Sequence, residues 1–111
     1  MDDVSHATWQ IAQKAPVGET YHISTDQIIS IKDLVQTLCQ MLNVPFEKNV
    51  MVVQERLGKD SAYWLSSKKI HQDLGWKDRI TLERGLEQTI NWVQKNLEDL
   101  KIQSMQYIHK K

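Results

Sequence analysis

Gln54-Glu55-Arg56-Leu57-Gly58-Lys59-Asp60-Ser61-Ala62-Tyr63 brings a guanidinium, a glycine, an ammonium and a carboxylate together between two apolar runs. This mixture suits a phosphorylated ligand. The planar Arg56 fork can grip phosphate oxygens bidentately, Lys59 adds a point charge and Asp60 accepts from sugar hydroxyls. Gly58 lets the backbone approach closely. The run before the loop, Val50-Met51-Val52-Val53, is rich in β-branched residues, and Tyr63-Trp64-Leu65 follows it, so a short strand is expected on each side. The stretch has the character of one half of a nucleotide-binding site.

Working outward toward the C-terminus, Ser66 or Ser67 is expected to cap a helix from Lys68 to Leu74. Gly75 is placed to close it in the left-handed conformation, with Trp76 packing back over the last turn. Thr81 is expected to cap a final helix whose Leu82, Leu86, Ile90, Val93 and Leu97 share a face. Toward the N-terminus, Asn43 to Asn49 with Pro45 reads as a connector. Before it, Ser30 with Asp33 three residues on is a helix start, and Ile29 can staple onto Leu34. Ile31, Leu34, Val35, Leu38, Cys39 and Leu42 then form a wide apolar stripe. Thr20 to Ser24 alternates, with Tyr21 and Ile23 on one side, as a short strand does. Val4, Ala7, Ile11 and Ala15 fall on one face of a helix from Asp3 to about Lys14, capped by Asp2 or Asp3 and ended by Pro16 and Gly18.

In this order the landmarks resemble the C-terminal part of the extended short-chain dehydrogenase/reductase family, in particular nucleotide-sugar 4,6-dehydratases and epimerases of the dTDP-glucose dehydratase type. Met1-Asp2-Asp3-Val4 with Ala7 is similar to the middle of the family's H-V-D-D-V-x-x-A segment, and Gly18-Glu19-Thr20-Tyr21-His22-Ile23-Ser24 to its G-E-x-Y-N-I-G strand. Arg56-Leu57-Gly58-Lys59-Asp60 matches the R-x-G-x-D loop. Lys69-Ile70 through Leu74-Gly75-Trp76 matches the K-x-x-x-x-L-G-W turn, and Thr81 to Trp92 the closing helix. The resemblance runs from residue 2 to about residue 97. It implies an α/β protein with α+β character in isolation: a helix-rich C-terminal substrate-binding lobe with a few short strands, lacking the Rossmann cofactor domain. Residues 1–100 would form the nucleotide-sugar-binding lobe and 101–111 a tail that docks only against a partner surface.

The resemblance places the substrate diphosphate on Arg56, with Lys59, Asp60 and Tyr63 as the other substrate-binding residues. Lys59 stands where dehydratases often have histidine, and Ser61 and Ala62 replace basic residues often found before the tyrosine, which weakens specificity for dTDP. The intact family enzyme would use NAD(P), but no glycine-rich dinucleotide fingerprint occurs among the four glycines, so no cofactor is expected in this chain. The family's Tyr-x-x-x-Lys pair recurs only as Tyr107 and Lys111, at a charged terminus without the strand and helix it needs. No catalytic residue is therefore assigned, and the chain alone is expected to be inactive.

Composition narrows the partners. The 111 residues carry 14 basic and 14 acidic side chains, so no basic field exists to hold nucleic acid or an anionic membrane. A chain of this length is expected to fold as one small domain, burying roughly 60–65% of its unfolded surface. Cys39, the one cysteine, precludes an internal disulfide, and with no signal-peptide layout the expected compartment is cytoplasmic. His6, His22, His71 and His109 are scattered without carboxylate or thiolate at ligand spacing, so no metal is expected. Cys39 reads as a core residue, as do Trp76 and Trp92, whereas Trp64 beside the loop is the tryptophan to watch. Two functions follow: a fragment that clamps the diphosphate of a nucleotide sugar once joined to its missing Rossmann lobe, or a non-catalytic nucleotide-binding or self-associating module. A self-associating module would be expected as a homo-oligomer, a stand-alone nucleotide-binding protein not necessarily.

Overall fold

The helices form where local chemistry starts and stops them. The computed structural model describes residues 1–53, 58 and 60–103. Six helices run in order: α1 (Asp2–Lys14), α2 (Ile31–Met41), α3 (Phe46–Asn49), α4 (Lys68–Leu74), α5 (Leu82–Lys95) and α6 (Leu97–Ile102). The chain divides into two compact units, Met1–Ile80 and Thr81–Lys111.

In the first unit, α2 starts as expected: the Ser30 hydroxyl oxygen accepts from the Asp33 N–H at 3.0 Å, and its O–H donates to the Asp33 carboxylate at 2.7 Å. Its end was not foreseen. Asn43 takes a left-handed φ of 55°, so that the Val44 N–H reaches the Cys39 carbonyl at 2.9 Å and the Asn43 N–H reaches that of Gln40 at 3.0 Å. This is a Schellman closure with asparagine in place of glycine. The expected connector then contains the single turn α3. At α4 the Lys68 N–H leans on the Ser66 hydroxyl at 3.4 Å, while Gly75, at φ 66° and ψ 15°, closes the helix as expected.

The core of this unit lies on α1 and α4. Ala7 and Ile70 are fully buried and Trp76 nearly so, with Ile11, Tyr21, Ile23 and Leu74 packed around them. The α2 stripe is only partly covered: Cys39 is buried, Leu34, Val35 and Leu38 are half-buried, and Ile31 is 70% exposed. Asp3 does not cap α1. Its carboxylate accepts from the Arg79 and Ile80 N–H groups at 3.0 and 2.9 Å, tying the start of the unit to its end.

The few short strands expected at Thr20 to Ser24, Val50 to Val53 and Tyr63 to Leu65 are corrected: no strand occurs among the described residues. A strand exists through its ladder, and none of these segments finds a partner strand. The alternation at the first holds over Thr20 to Ile23, where Tyr21 and Ile23 are half-buried and Thr20 and His22 exposed, and fails at Ser24, which is half-buried as well. α4 holds this segment in place of a ladder. Lys69 forms an ion pair with Glu19, donates to the Thr20 carbonyl at 3.1 Å and lies 4.8 Å from the centre of the Tyr21 ring. The Tyr21 hydroxyl donates to Asp73 at 3.2 Å.

In the second unit, the Thr81 hydroxyl accepts from the Arg84 N–H at 3.3 Å, the expected cap of α5. Of the predicted face, Leu82, Leu86 and Ile90 are half-buried, whereas Val93 and Leu97 are exposed and Leu97 lies in α6, beyond the end of α5. Asn96 interrupts the helix, its side-chain amide donating to the Trp92 carbonyl at 2.8 Å, and α6 follows. Trp92, expected in the core, is 57% exposed. Its indole falls outside the half-buried row because it stands two positions after Ile90, well round the helix.

Candidate functional site

The charged loop enters from Val50, the extended C-cap of α3, and leaves toward Ser67 at the head of α4. Arg56 and Lys59 lie outside the described residues. Gly58 has a φ of 79°, and a side chain added there would meet nothing within 4 Å, so glycine answers a backbone requirement and not crowding. Asp60 and Tyr63 are both exposed and sit together. The Asp60 carboxylate, accepting from the Tyr63 hydroxyl, pushes the phenol above its ordinary value, and partial loss of solvent adds to the shift. The one O–H proton of Tyr63 is thereby engaged with Asp60, so toward a ligand this pair offers oxygen acceptors.

The apolar runs beside the loop face solvent. Val52 is 89% exposed and Trp64 75%, which leaves the Trp64 ring accessible beside the loop. Among the described residues no cluster of histidine, cysteine or acidic side chains has metal-holding geometry. His22 and His71 are exposed and His6 half-buried. Cys39 is buried, as read from its stripe.

One cleft was not anticipated. It has a volume of about 410 Å³ and is lined from α4 by Lys68, His71 and Gln72, with Trp76, Lys77 and Asp26 around them. Its signal in the sequence is the polar face of the K-x-x-x-x-L-G-W turn. Cations and carboxylates share its open wall, which suits water and small polar solutes without selecting one.

A helical lobe carrying a charged loop between two apolar runs corresponds to the C-terminal portion of the nucleotide-sugar epimerase/dehydratase branch of the extended short-chain dehydrogenase/reductase family. No protein-family model matches the chain. It is 33% identical over 97 residues to a trifunctional UDP-glucose 4,6-dehydratase/UDP-4-keto-6-deoxy-D-glucose 3,5-epimerase/UDP-4-keto-L-rhamnose-reductase of Arabidopsis thaliana, a match that covers 87% of this chain and 14% of that protein. It is 32% identical over 108 residues to a dTDP-glucose 4,6-dehydratase of Escherichia coli, covering 88% of this chain and 30% of the enzyme. Among solved structures, the Bordetella bronchiseptica enzyme WbmF, in complex with NADH, superposes with a TM-score of 0.72 at 24% identity, over 90% of this chain and 29% of that one. The last likeness is one of fold. In each case the chain spans less than a third of its relative's length.

Proposed function

We propose that this chain is the substrate-binding lobe of an NAD(P)-dependent nucleotide-sugar 4,6-dehydratase or epimerase, and that it clamps the nucleotide diphosphate of the sugar substrate. The carrying observation is the match to UDP- and dTDP-glucose 4,6-dehydratases across most of the chain, loop included. Arg56 supplies the bidentate fork for the diphosphate, Lys59 a second positive charge, and Asp60 and Tyr63 oxygen acceptors for hydroxyls.

Gly18, Gly58 and Gly75 each serve a separate left-handed turn, and none lies in the strand-turn-helix arrangement that receives a pyrophosphate. NAD(P) belongs to the other lobe of the intact enzyme. The contribution of this one is positional: binding energy on the nucleotide, remote from the reacting carbon, orients the sugar for chemistry elsewhere.

The test is Arg56→Ala in a chain carrying both lobes, with nucleotide sugar and free nucleoside diphosphate titrated by calorimetry. Both should bind more weakly by about 1.5–3 kcal/mol with the fold intact, because both lose the same charge-assisted hydrogen bonds. Arg56→Lys should recover only part of the loss, a point charge being no substitute for the fork. Unchanged affinity for either ligand would remove Arg56 from the site.

A further inference from the structure

We draw no further inference here: the strongest candidate, the cleft beside α4 lined by Lys68, His71, Trp76, Lys77 and Asp26, carries none, because its open wall mixes cations with carboxylates and nothing in the structure shows what occupies it.

Discussion

Asp3 carries an electrostatic job that its position near a helix start conceals. Burial works to raise its pKa, but the Arg79 and Ile80 N–H groups, with the α-amino group and the Arg79 charge, outweigh burial and hold the carboxyl below its ordinary value. A depressed folded-state pKa means stability that is present above the unfolded value of about 3.9 and is lost as pH falls through the folded one. Asp3→Ala should therefore cost about 1–2 kcal/mol at neutral pH, where two N–H groups lose a charged acceptor. The gap between wild type and variant in urea midpoints should close as pH drops below 4, and a gap constant from pH 7 to pH 2 would contradict the assignment. Gly75 gives a simpler case. Its φ is 66° and nothing stands within 4 Å of an added side chain, so Gly75→Ala pays only for backbone conformation. A loss of about 1–2 kcal/mol by chemical denaturation is expected.

At the scale of elements, the fully buried Ile70 on α4 and the half-buried Leu38 on α2 should respond differently to truncation. Ile70→Ala should destabilise by about 3–4 kcal/mol through lost burial and a cavity, and Leu38→Ala by about 2 kcal/mol, where the site can relax toward solvent. Equal losses would place the core on α2. The contrast also shows what was legible in the sequence. Ser30 with Asp33, Thr81 and Gly75 were legible as helix boundaries because capping and left-handed closure are decided within a few residues. The central place of α1 and α4 was not, since α2 has a broader stripe and burial depends on which elements meet. The three strand segments were legible in preference and not in outcome, because a ladder needs a partner that lies beyond local sequence. At the site, the phosphate reading proposed for the loop rests on its residue types alone, whereas the Asp60 and Tyr63 contact depends on the path of an irregular segment and was not legible.

At the scale of the whole chain, the first unit has a small core on α1 and α4, and the behaviour of the 111 residues alone should follow from the chemistry they carry. Oxidation of a sugar carbon requires a hydride acceptor and a base. The sequence carries no glycine-rich dinucleotide fingerprint and no Tyr-x-x-x-Lys pair in the strand and helix context such a base needs. Purified as 111 residues, the chain should therefore turn over neither dTDP-glucose nor UDP-glucose, with or without added NAD. Residual affinity is a separate matter. The loop retains Arg56, Lys59 and Asp60, yet without an opposing lobe to fix their geometry, ordering the loop and the ligand consumes most of the interaction energy, so UDP and dTDP should bind no tighter than about millimolar. Amide shifts near Gly58, Asp60 and Tyr63 in a nucleotide titration would locate that weak binding. Turnover by the isolated chain would overturn the division of labour between lobes, and shifts confined to the cleft beside α4 would move the nucleotide site away from the loop.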